Sequence, residues 1–122
     1  SGNPYLPHNL PVNAVVYTGT HDNDTTLGWF HSLDPATREY VLEYLGCAAD
    51  AMPTALCRTA LASVSRLAVL PMQDLLGLGS EHRMNVPGTH TPRNWRWRFT
   101  WEGLAPGTER FYRRLLEMYG RV

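Results

Sequence analysis

The sequence AVVYTGTHDND, at residues 14–24, passes without a break from an apolar run into a polar one. Its first four residues are apolar and β-branched in the middle, a pattern typical of a short strand buried on both faces of a parallel sheet. The polar residues follow at the carboxyl end of that strand. Because ligands of parallel α/β folds bind at the carboxyl ends of the strands, the segment predicts both a strand and a candidate site.

A second apolar run, RLAVLPM at residues 66–72, repeats the pattern and ends at Gln73 and Asp74. The residues between the two runs have helical periodicity, with Asp34 as a predicted N-cap and Gly46 as a predicted C-cap. Helices are predicted at residues 27–33, 35–45, 53–64 and 108–119. Strands that alternate with helical patterns indicate a helix-rich α/β fold with a parallel sheet.

Length and composition indicate one small domain and exclude several functions. The chain has 122 residues, and its eleven basic residues balance eleven acidic ones. Zero net charge disfavours nucleic acid and membrane surfaces as partners, and no apolar run reaches membrane-spanning length. All basic residues are arginine, which excludes lysine nucleophiles and Schiff bases. Cys47 and Cys57 fit neither a disulfide framework nor a zinc knuckle, so we expect free thiols and a cytoplasmic protein.

A long irregular segment and an aromatic stripe follow the second apolar run. Residues 75–94 contain glycine, proline and scattered polar groups, and loops of that length in a compact domain are usually functional. Residues 95–101, WRWRFTW, alternate aromatic and polar side chains. Aromatic faces stack on bases or sugar rings, but alternation on a strand equally predicts aromatic rings in a core with arginines outside. We favour core packing over a role in binding. The preference is stronger over stacking on bases than over stacking on sugar rings.

The strongest chemical signal is the polar cluster after the first strand. His21 and Asp22 are two titratable groups, more than one helix cap needs, whereas Asp24 is expected to cap the helix that begins near Thr25. A carboxylate pair such as Asp22 and Asp74 is suited to flank a glycosidic bond or to hold a metal. No HxH or HExxH spacing is present, which disfavours the metal.

Four motifs stand in order along the chain: VVYTGTHDNDTT at residues 15–26, LPMQDLLGLG at 70–79, RMNVPG at 83–88 and NWRWR at 94–98. Together they resemble the carboxyl-terminal part of the 4-α-glucanotransferases, which are the amylomaltases or disproportionating enzymes. The opening NPYLPHN, residues 3–9, resembles the stretch just before these motifs in the family. The resemblance therefore covers essentially the whole chain.

The resemblance implies a (β/α)₈ barrel that transfers an α-1,4-glucan segment to the 4-hydroxyl of an acceptor sugar through a covalent glycosyl-enzyme intermediate. By the same resemblance, Asp22 is the third acid, which steadies the distorted sugar, and His21 and Asn85 contact its hydroxyls. The resemblance also implies that Asp74 is a structural acid. This interpretation replaces the hypothesis that Asp74 and Asp22 act as a pair. The implied substrate is a maltooligosaccharide or a starch- or glycogen-type α-glucan, and no metal or cofactor is implied.

In this family the nucleophile and the acid/base precede the THDND motif, on earlier strands. A full barrel needs about 250 residues, so we expect residues 1–122 to form a single carboxyl-terminal segment, approximately the last two βα units, that is inactive alone. A cut barrel leaves sheet edges unpaired, which predicts self-association or binding to a complementing barrel fragment. The alternative is a stand-alone carbohydrate-binding module that uses Trp95, Trp97 and Trp101.

Overall fold

The computed structural model describes residues 1–122 and contains two short strands and five α-helices. The strands are β1 (Val15–Tyr17) and β2 (Leu67–Val69). The helices are α1 (Thr26–Ser32), α2 (Pro35–Leu45), α3 (Thr54–Ala62), α4 (Met72–Leu75) and α5 (Thr108–Met118). Single 3₁₀ turns lie at Pro7–Asn9, Ala49–Ala51, Ser80–His82 and Trp101–Gly103. None of the helices combines the length and the apolarity that crossing a membrane requires.

The two strands pair with each other in parallel, with Val16 opposite Ala68 at the centre of the register. A backbone hydrogen bond from the Arg66 N–H to the Val12 carbonyl, 2.8 Å long, continues the contact before the strands begin. Parallel strands require a crossover connection, and α1, α2 and α3 provide it. The prediction of a helix-rich α/β fold with a parallel strand pair is confirmed.

The prediction that the strands are buried on both faces is wrong. Val15, Tyr17, Leu67 and Val69 are each about half exposed, at 50–54%, whereas Val16 and Ala68 between them are less accessible. Successive side chains of a strand point to opposite faces of the sheet. The chain therefore covers one face of the sheet and leaves an apolar face open. We call these four exposed residues the open sheet face.

The buried apolar core lies among the helices. α3 contacts α2, α4 and α5, and its Cys57, Ala60 and Leu61 are buried. The complete set of buried hydrophobic side chains is Phe30, Met52, Cys57, Ala60, Leu61 and Leu115. No residue of β1 or β2 is among them, so the buried core is formed by helical residues and Met52 and not by the strand pair.

The predicted signals at the ends of α2 are confirmed. The Asp34 carboxylate accepts a hydrogen bond from the Thr37 N–H at 3.4 Å, and Pro35 is the first helical residue. Gly46 ends the helix with φ 68°, a left-handed conformation in which glycine avoids the steric cost of a side chain. These helix ends are predictable from the local sequence because they depend on neighbours within one turn.

The core packing favoured for the aromatic side chains of residues 95–101 is wrong, and no strand forms there. β1 and β2 make the only sheet, and residues 96–100 have no regular structure. A strand needs a hydrogen-bonded neighbour, and none lies beside this segment. Its aromatic rings contact one another instead of entering a core: the Trp97 and Phe99 ring centroids are 6.3 Å apart, and those of Phe99 and Trp101 are 5.3 Å apart.

Candidate active site

Asp74 joins the carboxyl ends of the two strands to the start of α1. Its side chain is 2% exposed and accepts three hydrogen bonds, from the Thr18 hydroxyl at 2.5 Å, the Thr26 hydroxyl at 2.7 Å and the Thr26 N–H at 2.9 Å. Neutral hydroxyls and one amide therefore satisfy this buried carboxylate. The geometry agrees with a structural acid and not with one that faces a substrate together with Asp22.

Asp24 accepts a hydrogen bond from the 3₁₀ turn at Ser80–His82. The N-cap role predicted for Asp24 belongs to Thr25. Thr25 is the N-cap of α1 and accepts a hydrogen bond from the Gly28 N–H at 3.1 Å. Asp24 accepts hydrogen bonds from the Thr25 N–H and from the Ser80 hydroxyl, both at 2.7 Å. A methyl group at Gly28 would overlap both the Ser80 hydroxyl and the Asp24 carboxylate, so this close approach requires glycine.

His21, Asp22 and Asn85 are brought together from segments more than sixty residues apart. The Asn85 side-chain amide donates to the Asp22 Oδ1 at 2.9 Å. The His21 Nε2 lies 3.3 Å from the Asp22 Oδ2. Both His21 and Asp22 are about half exposed, at 54% and 50% of their side chains. The carboxylate of Asp22 is thus oriented by one neighbour at each oxygen while it stays accessible to a ligand.

Arg83 holds the backbones that carry two of these side chains. Its Nη2 donates to the Asp22 carbonyl oxygen and its Nε donates to the Asn85 carbonyl oxygen, each at 3.1 Å. One planar guanidinium therefore sets the separation of the two segments. No role was predicted for Arg83 from the sequence, because nothing in the residue pattern indicates that Arg83 and Asp22 are in contact.

Trp95 completes the edge of the cluster. Its ring centroid lies 4.9 Å from that of His21, with the planes tilted by 37°. The Trp95 backbone N–H donates to the Met84 carbonyl oxygen at 2.7 Å, which places Trp95 beside the segment that carries Asn85. The sequence singled out this indole only as a member of the aromatic stripe, and its contact with His21 was not predicted.

The loop beside the cluster is fastened by polar side chains. The Trp97 indole N–H donates to the His82 Nδ1 at 3.1 Å, and the Gln73 side-chain amide donates to the His82 carbonyl at 3.2 Å. These bonds tie the aromatic stripe to the 3₁₀ turn at residues 80–82 and to α4. A polar cleft at the carboxyl ends of the strands extends from His21 and Thr20 to Arg83.

The groups with strongly shifted pKa values lie in the core and not in this cluster. Burial raises the pKa of the Cys57 thiol to about 12, and the negative charge of Asp74 adds to the effect. Burial also raises the pKa of the Tyr112 phenol, with the neighbouring Cys57 as the next cause. Because the thiolate is the reactive form of cysteine, Cys57 is not a candidate nucleophile. No three His, Cys, Asp or Glu side chains converge as metal ligands.

A comparison with family profiles matches residues 1–104 to the family described as 4-alpha-glucanotransferase. The chain belongs to the 4-alpha-glucanotransferase family. The match contains all four motifs on which the resemblance rested, so the family prediction is confirmed.

Individual 4-alpha-glucanotransferases are similar over almost the whole chain. The enzyme of Synechocystis sp. is 48% identical over 122 residues, covering 98% of this chain and 24% of the relative. The chloroplastic/amyloplastic enzyme of Arabidopsis thaliana is 44% identical, covering 98% and 21%. That of Thermus thermophilus is 47% identical, covering 85% and 22%. The chain spans about a quarter of the length of the 4-alpha-glucanotransferases it matches.

The fold is similar to part of a solved structure, the amylomaltase from Streptococcus agalactiae in complex with acarbose. The TM-score is 0.89 at 33% sequence identity, and the alignment covers 97% of this chain and 24% of the amylomaltase. The strand pair and its helices therefore have the arrangement of a segment of that enzyme. None of these comparisons favours a stand-alone carbohydrate-binding module.

Proposed function

We propose that this chain forms part of a 4-α-glucanotransferase and supplies the acid that stabilises the transition state, Asp22. The observation that carries the proposal is the Asp22 carboxylate at the carboxyl end of β1, oriented by Asn85 and His21 and half exposed. The proposed substrate is a maltooligosaccharide or a longer α-glucan. The similar amylomaltase is in complex with acarbose.

The reaction proposed is a retaining double displacement. A nucleophilic carboxylate elsewhere in the barrel attacks the anomeric carbon as the glycosidic bond breaks, and a general acid protonates the leaving oxygen. The 4-hydroxyl of the acceptor then attacks the glycosyl-enzyme, gives its proton to the same acid/base, and releases the nucleophile. Both transition states carry positive charge on the sugar ring, and a fixed negative charge at Asp22 stabilises that charge.

Asn85 and His21 have supporting roles in this proposal. A carboxylate has about four lone-pair sites, and the Asn85 amide uses one of those on Oδ1. The remaining sites are available to sugar hydroxyls. His21, at 3.3 Å from Oδ2, and Asn85 also have polar atoms with which to bind the same sugar. The cluster therefore combines a charge with neighbours that fix its orientation.

We also propose that β1 and β2 are the last two strands of a (β/α)₈ barrel, whose remaining strands cover the open sheet face. Each strand of a two-stranded sheet has one free edge, and Val15, Tyr17, Leu67 and Val69 expose apolar surface beside those edges. The isolated chain is inactive in this proposal because the nucleophile and the acid/base belong to the other strands. Its free cysteines support a reducing, cytoplasmic location.

The test is complementation. The chain is co-expressed with the Streptococcus agalactiae amylomaltase shortened by the quarter that matches it, and the pair is incubated with maltotriose. We expect glucose and longer maltooligosaccharides from the pair and neither from each part alone. Asp22→Asn is expected to lower the activity at least a hundredfold, whereas the exposed Asp50→Asn leaves it unchanged. An active pair whose rate is unaffected by Asp22→Asn would contradict the role of Asp22.

A further inference from the structure

Trp95 has a backbone conformation that its side chain disfavours. Its φ is 64°, and it is the only residue other than glycine with a positive φ in the chain. A bulky L-residue in the left-handed region is strained, and such residues persist where the surroundings hold them and cluster at ligand sites. A glycine at this position would relieve the strain.

Hydrogen bonds within residues 84–95 hold Trp95 in this conformation. The Trp95 backbone N–H donates a hydrogen bond to the Met84 carbonyl oxygen at 2.7 Å. The preceding Asn94 accepts from the Val86 N–H at 3.3 Å and donates to the carbonyl and the hydroxyl of Thr89 at 3.1 and 2.9 Å. This network closes residues 84–95 on themselves. The indole is consequently fixed beside the segment that positions Asn85 against Asp22.

The indole itself is not a core side chain. It is 61% exposed, and its aromatic contact is with the His21 ring, 4.9 Å between centroids. An aromatic face beside a few oriented polar groups is the composition of a site for an amphipathic ligand. A pyranose ring has this character, because its C–H groups pack on an aromatic face while its hydroxyls bond to carboxylate and amide groups.

We propose that Trp95 is a stacking platform for a glucose ring of the α-glucan, next to the sugar that Asp22 contacts. This inference rests on the proposed function and adds a substrate-binding residue to it. The indole stacks on that glucose ring while His21, Asp22 and Asn85 bind hydroxyls of the neighbouring sugar. Trp95 thereby contributes to substrate affinity and to selection of a pyranose chain, and it takes no part in proton transfer.

The test separates stacking from strain by substituting Trp95→Gly, which removes the indole and also relieves the positive φ. Binding of maltoheptaose to the chain is measured by isothermal titration calorimetry, and folding by thermal unfolding. We expect Trp95→Gly to raise the Kd at least tenfold while the melting temperature stays within a few degrees. Trp95→Phe, which keeps a smaller ring, is expected to raise the Kd less than fivefold.

Trp101→Ala is the matched control, because Trp101 is also exposed, at 76%, and contacts Phe99 rather than His21. It should leave the Kd unchanged. Binding by Trp95→Gly within twofold of the unmodified chain, or an equal loss in Trp101→Ala, would overturn the platform. So would an unmodified chain that binds no maltoheptaose, although an active complemented pair would then still support the proposed function. Conversely, Trp95-dependent binding without any activity of the pair would overturn the proposed function alone.

Discussion

At the scale of single residues, the candidate site depends on bonds between backbone and side chain that fix polar atoms without burying them. Asp22 has one neighbour at each carboxylate oxygen, and its own carbonyl oxygen is held by Arg83. Arg83 is the residue that supplies this constraint between the two segments.

Arg83→Lys is expected to loosen Asn85 from Asp22. A lysine retains the charge but is a single point donor and cannot bond two carbonyl oxygens in the planar manner of arginine. In ¹⁵N–¹H spectra, the side-chain amide signals of Asn85 should move toward those of the Asp22→Ala variant. Arg93→Lys is the control, since the exposed Arg93 makes no such bonds. Unmoved Asn85 signals in Arg83→Lys would show that Arg83 does not position the pair.

At the scale of elements, α1 approaches the loop after α4 so closely that its sequence is constrained. Gly28 lies in the first turn of α1, next to the hydrogen bond between the Ser80 hydroxyl and the Asp24 carboxylate. Alanine is intrinsically a better helix former than glycine by about 1 kcal/mol. The tertiary contact therefore opposes the local preference at this position.

Gly28→Ala is expected to lower the free energy of unfolding by roughly 1–3 kcal/mol, the usual cost of overpacking. The measurement is urea denaturation followed by circular dichroism. Gly28→Ala combined with Ser80→Ala should recover part of the loss, because it removes one of the two overlapping groups. Gly103→Ala, where the nearest atom to an added methyl group is 3.8 Å away, should have almost no effect. A stabilising Gly28→Ala would contradict the close approach.

Because the Cys57 thiol of α3 is buried, the stability of the folded chain is expected to fall at alkaline pH. The pKa of Cys57 is about 12 in the folded chain, against an ordinary value of 9.0. Well below pH 9 the thiol is neutral in both states and its contribution to stability is fully present. As the pH rises from 9 toward 12, the unfolded chain loses the proton first, so stability falls.

We therefore expect urea denaturation at pH 7, 9, 10 and 10.5 to show a progressive decrease in the free energy of unfolding. Cys57→Ala should unfold more easily at pH 7 because of the cavity, but its stability should decrease less steeply with pH. Cys47→Ala, at a half-exposed site, should keep most of the steepness of the unmodified chain. Equal pH dependence in Cys57→Ala and in the unmodified chain would show that the thiol is not the titrating group.

At the scale of the whole molecule, the open sheet face is a surface whose apolar side chains and strand edges lack partners. Val15, Tyr17, Leu67 and Val69 are apolar, adjacent and half exposed, and the two strands lack outer neighbours. Surfaces of this kind mark interaction sites and unpaired edges attract other strands. In the proposed enzyme the remaining barrel covers this face, and in its absence a second copy of the chain is the available cover.

We expect the isolated chain to sediment as a dimer or larger species at tens of micromolar concentration. Val69→Lys should shift the population toward monomer, because a charge on the open face opposes its burial. Val64→Lys is the matched control: Val64 is also an exposed valine, at 63%, but lies outside the sheet. A monomeric unmodified chain by analytical ultracentrifugation would contradict the prediction, as would equal effects of the two lysines.

The helices and their caps were predictable because local contacts form them, as in the helix bounded by Asp34 and Gly46. The two strands were predictable from hydrophobic patterning, but their pairing joins distant residues such as Val16 and Ala68. The candidate positions His21, Asp22 and Asn85 were predictable from the family resemblance. The core packing favoured for residues 95–101 was wrong because alternation alone does not provide a strand with a pairing partner.

The sequence by itself determined the α/β class, the family, the helix ends and the segments that carry the polar residues. Only the tertiary structure decided that Asn85 donates to Asp22, that Arg83 joins their backbones and that Trp95 lies on His21. It also decided which face of the strands stays open. The reason is that these contacts join segments about sixty or more residues apart, whose approach is set by packing of the whole chain and not by the local preferences that residue patterns record.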